Sequence, residues 1–267
     1  MPSTVPSHPG GFRSPAGIDY FGRGHWLSRI QAHISYGARH RMFQIWKRYA
    51  GEIRGKSILD VGTTPDLERQ DSNCMIPWFQ NEGVNVFLYS PEDISGLASI
   101  FPGTTILSTN GFGQPIRASD QSFDWATASA VLEHVGSSDD QVNFIRECAR
   151  VSDGLFLTTP NRGHWLEFHT KLPLLHWLPR ATHRRILRGL GKRNWALESH
   201  LRLVGHSELG ALARLALGKE FDLTIGEIWT LGMPSNLILL ARRKSAAVAR
   251  SSATHTSIGS VDLPASR

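Results

Sequence analysis

Asp60 and Gly62 stand where the apolar run SILDV passes into the polar turn GTTPD, over residues 57–66. A carboxylate there can accept hydrogen bonds from an ammonium or a hydroxyl, and a glycine lets backbone approach a ligand closely. A turn glycine with a capping carboxylate explains the same residues equally well. Thr63 adds a hydroxyl beside them. In LYSPED, residues 88–93, Ser90 and Glu92 offer oxygens that could hold ligand hydroxyls or cap the following helix. Asn110 and Gly111 form a turn pair whose amide carbonyl is also a ligand acceptor. A third apolar run, FDWATAS, ends in the small residues Ala128, Ser129 and Ala130, and Leu132-Glu133-His134 follow. With an ordinary pKa near ~6.5, His134 suits a general base, or a loop anchor held by hydrogen bonds.

No metal is predicted from these residues. Glu133 and His134 alone make a weak pair for a first-row ion, and His164, Glu167 and His169 lack the i, i+4 histidine pair of an H-E-x-x-H helix. The chain has no G-x-S-x-G elbow, no G-x-x-x-x-G-K-[ST] loop and no G-x-G-x-x-G after its first strand. Those absences argue against a serine hydrolase, a P-loop enzyme and a nicotinamide dehydrogenase.

The elements that must position these residues follow from hydrophobic period. Between residues 57 and 160 short apolar runs (SILDV, VNVFLY, TTILS, FDWATAS, GLFLTT) alternate with stretches such as CMIPWFQNEG and QVNFIRECARV. Such alternation predicts a doubly wound, mostly parallel sheet with crossover helices on both faces. Before it, Trp26, Ile30, Ile34, Met42, Ile45, Trp46 and Tyr49 recur at helical spacing, predicting one or two helices broken near Gly37. After it, residues 165–217 read as amphipathic helix. FDLTIGEIWTLG and SNLILLARR then read as two closing strands with an antiparallel edge.

Taken in order, ILDVG, the stretch from Phe123-Asp124 to Val131-Leu132-Glu133-His134-Val135, and FLTTPN resemble the class I S-adenosylmethionine-dependent methyltransferases, in particular their type 11 branch. The resemblance is strong over residues 56–162 and looser to about 242. It implies a Rossmann-like sheet of seven strands with an antiparallel edge and a helical insertion before the last two strands. It also implies S-adenosylmethionine as cofactor, with Asp60, Gly62 and Thr63 near its methionine part. Ser90 and Glu92 would lie at the ribose, Asn110 and Gly111 at the adenine, and Ser129 beside the sulfonium. Thr64 stands where a second glycine is usual, which narrows that turn. The implied activity is methyl transfer, with a hydroxyl of a small or lipid-linked metabolite as the expected acceptor. Two other readings stay open: a cofactor-binding relative without turnover, and a non-enzymatic membrane-peripheral protein.

Composition fits this frame. The 267 residues are 40% hydrophobic and carry a net charge of +6, yet residues 241–267 hold five basic residues against Asp262. With that tail set aside the body is almost neutral, so nucleic acid is not an expected partner. One basic segment remains, Arg180 to Arg193, just after Leu174, Leu175, Trp177 and Leu178. Residues 174–193 therefore suit peripheral contact with an anionic membrane, or a solvated face with an apolar side packed on the sheet. No apolar run approaches the ~18 residues of a spanning helix, so a cytoplasmic or membrane-associated location is expected. Cys74 and Cys148 are too few for a disulfide framework. The predicted organisation is a disordered segment 1–23, one domain over 24–242 and a disordered basic tail 243–267. Within the domain, 24–55 are leading helices, 56–162 the cofactor-binding core, 163–218 a helical cover and 219–242 the closing strands.

Overall fold

Strands such as Leu155-Phe156-Leu157, apolar at every position, need cover on both faces of a sheet. The computed structural model, which describes residues 26–66, 69, 71–109, 111 and 114–244, has that cover. Helix α1 (Trp26–Ala50) leads into β1 (Ser57–Val61), α2 (Met75–Asn81), β2 (Asn85–Tyr89), the single turn α3 (Leu97–Ile100) and β3 (Thr105–Ile106). Strand β4 (Phe123–Ser129), helix α4 (Ser138–Val151) and β5 (Ser152–Pro160) follow. A small hairpin, β6 (Leu166–Glu167) and β7 (Leu172–Pro173), precedes α5 (Arg180–Gly189) and α6 (His206–Leu217). Strands β8 (Phe221–Thr230) and β9 (Met233–Arg243) close the chain.

Seven strands form one sheet in the order β3-β2-β1-β4-β5-β9-β8. The first five are parallel, while β9 pairs antiparallel with both β5 and β8. This is the predicted mostly parallel sheet with an antiparallel edge. Successive residues serve opposite faces, as the strand period of two requires. Leu59, Ala126, Leu155, Leu157 and Leu239 pack under α4 and α6, whereas Ile58, Leu88, Trp125, Phe156 and Ile238 pack under α1 and α2.

Two predicted elements differ. The leading segment is one unbroken helix that passes through Gly37. A mid-helix glycine costs only about 1 kcal/mol, and the buried stripe of Ala38, Met42, Phe43 and Trp46 outweighs it. Trp46 stacks on Phe156 (ring centroids 5.7 Å apart) and meets Phe79 and Trp125 edge-on. The predicted helical cover is instead a mixture of hairpin, single turns and two helices, and α6 is part of the sheet's own helical layer: its buried Leu209, Leu212, Ala213 and Leu217 face α4 and the sheet. The predicted disordered ends lie outside the described residues, apart from Arg243, which ends β9, and Lys244. No helix among the described residues is long and apolar enough to cross a membrane.

Gly154 on β5 makes room for the Trp125 ring beneath α1: a Cβ there would lie 2.5 Å from Trp125 Cε3, inside contact distance of a rigid ring. Gly154→Ala should therefore lower unfolding stability by about 1–3 kcal/mol in urea denaturation. An unchanged midpoint would show that the aromatic layer yields freely.

Candidate active site

In a doubly wound sheet a ligand binds outside the carboxyl ends of the strands where the strand order reverses. Here the reversal falls between β1 and β4. A cavity of about 200 Å³ opens there, lined by the exits of β1, β4 and β5, by α1, by the segment after β1, and by Ser235 and Asn236 at the start of β9.

The β1 exit is fixed by its neighbours. Gly62 has φ +86°, and its N–H donates to the Tyr89 carbonyl at 2.8 Å. A Cβ on Gly62 would stand 2.5 Å from Val131 Cγ2, so this position excludes any side chain for two independent reasons. The Thr63 hydroxyl lies 3.1 Å from both a carboxylate oxygen and the carbonyl of Asp60. Burial pushes the Asp60 carboxyl up to about 6, against the opposing pull of Thr63 and the Arg39 cation. Asn73 closes the next turn, donating to the Thr64 carbonyl at 2.7 Å.

The β4 exit turns sharply at Ala130, a non-glycine residue at φ +59° whose N–H donates to the Thr158 carbonyl. The turn drives Glu133 into the interior. There one carboxylate oxygen accepts from Thr159 at 2.9 Å, the other has no hydrogen-bond partner among the described residues, and burial raises the carboxyl pKa. His134 holds Nδ1 against the His200 carbonyl at 2.7 Å, as a loop anchor requires. Burial and the nearby His169 depress the His134 pKa to about 3, which makes it a weak base. His169 comes from the insertion and meets the His134 ring edge-on at 4.9 Å. Its Nδ1 sits 2.7 Å from Glu167 Oε1. Burial disfavours charge on both partners, yet their mutual attraction prevails, raising the His169 pKa and holding Glu167 at about 2.

Solved structures share this arrangement of strands. The magnesium protoporphyrin IX methyltransferase of Synechocystis PCC 6803 with bound SAH is 14% identical, with a TM-score of 0.51 over 84% of this chain and 89% of that one. The 1,6-didemethyltoxoflavin-N1-methyltransferase of Burkholderia thailandensis, with bound 1,6-didemethyltoxoflavin and S-adenosylhomocysteine, is also 14% identical, with a TM-score of 0.50 over 81% and 87%. The fold is that of the class I S-adenosylmethionine-dependent methyltransferases. No protein-family profile matches the sequence, and no curated protein matches it.

On this methyltransferase fold the cavity gathers Asp60, Gly62, Thr63, Ser129 and His134. Ser90 and Glu92 lie apart from its lining, Ser90 buried and accepting from the Glu92 N–H at 3.2 Å. Gly111 has φ +98° in an exposed turn where it donates to Thr109, and Asn110 lies outside the described residues. Three contributors are not assigned to this site from the sequence, where His169 is weighed only with its neighbours His164 and Glu167. Arg39 on α1 donates to the Asp71 carbonyl at 2.6 Å and places its charge near Asp60. Its one sequence signal is a cation on the helical stripe of Ser35 and Met42. His169 and the β8–β9 turn carry no local signal, since only the fold brings them to the cavity.

A carboxyl whose folded pKa exceeds its unfolded value near ~3.9 adds stability below about pH 4 and loses it as pH rises through about 6. Asp60→Asn removes this dependence. Relative to wild type, the variant should match at about pH 4 and gain at most about 3 kcal/mol above pH 6, read by urea denaturation at the two pH values. A variant that is less stable than wild type above pH 6 would contradict the assignment.

Proposed function

We propose that the protein is an S-adenosylmethionine-dependent methyltransferase, on one observation above all: its cavity lies at the β1/β4 reversal, bounded by a Gly62 that cannot carry a side chain. The residues present fit the cofactor. Asp60 is a carboxylate at neutral pH and can accept from the cofactor's ammonium group, with Thr63 fixing its rotamer and Arg39 favouring its charged form. Ser129, at the end of β4, is small enough to leave space beside a sulfonium. We place Ser90 and Glu92 at the ribose, and Asn110 and Gly111 at the adenine. The motif from Phe123-Asp124 to Leu132-Glu133-His134, which resembles that of the type 11 branch, supports this reading.

When bound, the cofactor supplies a methyl group activated by the positive sulfur. The protein's task is then alignment and exclusion of water, which can lower the barrier by several kcal/mol without a covalent intermediate. The rigid exits of β1 and β4 and the packed α1 wall hold that alignment. His134, anchored on the His200 carbonyl, orients the floor of the acceptor side. The acceptor we favour is a hydroxyl of a small or lipid-linked metabolite, a small-molecule acceptor being consistent with a cavity of about 200 Å³.

A lipid-linked acceptor is favoured by one surface. Leu174, Trp177 and Leu178 are exposed, Trp177 by 49%, beside the exposed Arg185 and Arg188 of α5. Arg180 and Arg184, by contrast, are paired with Glu208 and Glu198. Exposed apolar groups together with basic groups that form no ion pair among the described residues suit an anionic lipid surface.

Calorimetric titration with S-adenosylmethionine and its demethylated product should show one site. Asp60→Asn should weaken it about tenfold, the loss of one charged hydrogen bond, and Ser129→Leu should abolish it with the circular dichroism spectrum unchanged. No binding by the intact chain would remove the methyltransferase reading. In flotation with phosphatidylserine vesicles, binding should be lost in the Trp177→Glu, Leu178→Glu double variant. Equal flotation of both proteins would remove the membrane contact.

A further inference from the structure

Glu133, His134 and His169 each offer one atom that could ligate an ion, and these atoms all lie within 4.8 Å of one another. Two come from the β4 exit, and the third comes from the insertion 35 residues later. All three residues line the cavity. The Glu133 carboxylate is fully buried, and one of its oxygens has no hydrogen-bond partner among the described residues. That oxygen lies 3.8 Å from His134 Nε2, too far for a hydrogen bond. A buried carboxylate oxygen left without a donor is costly, and in native structures it points to an unseen proton donor, water or ion.

The surroundings fit an ion. Each imidazole has Nδ1 engaged, His134 by the His200 carbonyl and His169 by Glu167, and Nε2 is the His134 nitrogen on the Glu133 side. A second-shell carboxylate or carbonyl on Nδ1 is how metal-binding histidines are commonly oriented. The other oxygen of Glu133 is likewise held, by Thr159 at 2.9 Å. Ligands about 2.1 Å from a tetrahedral ion stand about 3.4 Å apart. Closing from the observed spacing asks for shifts of about 1 Å or less in side chains that border open space.

We propose that Glu133, His134 and His169 form a binding site for a divalent first-row transition-metal ion. Two imidazoles and one carboxylate suit Zn²⁺, Fe²⁺ or Mn²⁺ rather than Ca²⁺ or Mg²⁺, which favour all-oxygen shells. Three protein ligands leave coordination positions open, and the three residues line the cavity. The expectation of no metal rested on two ligands adjacent in sequence; the fold adds the third. The site stands on its own ligands and does not depend on the methyl-transfer reading.

The test uses the full chain, stripped with a chelator and titrated at neutral pH with Zn²⁺ alone by calorimetry and with Co²⁺ alone by visible absorption. Neither titration contains the cofactor, so failure here and failure of cofactor binding are separate results. One equivalent of Zn²⁺ should bind, and Co²⁺ should give ligand-field bands that Zn²⁺ removes. Glu133→Gln and His169→Gln should each weaken binding by at least about 100-fold, and Glu167→Gln, one shell out, by about 10-fold. The Co²⁺ spectrum of the unaltered chain decides the matter even if a variant fails to fold. Absence of a stoichiometric site, or folded variants that bind as tightly as wild type through other histidines, would overturn the proposal. The space would then belong to a protonated His169 between two carboxylates.

Discussion

The contact between the Gly62 backbone and the Val131 side chain sets the distance between the exits of β1 and β4. Both exits leave the sheet in left-handed conformations, at Gly62 and at Ala130, and both are tied to a neighbouring strand by a backbone hydrogen bond. With those two turns fixed, Asp60 and Thr63 stand on one side of the opening and Glu133 and His134 on the other. A larger residue at position 62 would push the β4 exit outward and widen the site. The glycine is thus explained by packing before any ligand is considered, and its closeness to the cavity follows from the same constraint.

The wall opposite these exits depends on α1. Its hold on the sheet comes from the Trp46 cluster with Phe79, Trp125 and Phe156, a layer made possible by the bare Cα of Gly154. The same helix carries Arg39, a cation that acts on both Asp60 and Glu133. Fold stability and site electrostatics are therefore coupled through one helix.

The insertion is clamped to the β4 exit by a buried polar network. Gln141 on α4 donates to the carbonyls of Leu132 and Arg202, Arg202 returns a side-chain hydrogen bond to Gln141, and the Arg202 N–H donates to the Glu133 carbonyl at 2.7 Å. Arg202 also pairs with Glu208 at 2.7 Å. Such a network, with its members satisfied, specifies one docking geometry for a segment that has little regular structure. It anchors the insertion at Arg202, two residues from the His200 carbonyl that holds His134.

The sequence by itself determined the layers. Strand-helix alternation, apolar runs of strand length and the motif order from ILDVG to FLTTPN sufficed for the sheet, its antiparallel edge and the fold that solved methyltransferases share. These are local signals, carried by neighbours in the chain. Of the candidate residues, Asp60, Gly62, Thr63, Ser129 and His134 could be found because strand exits in this topology face one opening. The tertiary structure decided what depends on residues distant in sequence. The unbroken α1 follows from packing on Trp125 and Phe156, the placement of α6 on α4 from its buried stripe, and the approach of His169 to Glu133 from the docking of the insertion on the β4 exit. Periodicity reports which face of an element is apolar, but which partner meets that face, and which charges then share a cavity, is settled only by long-range packing.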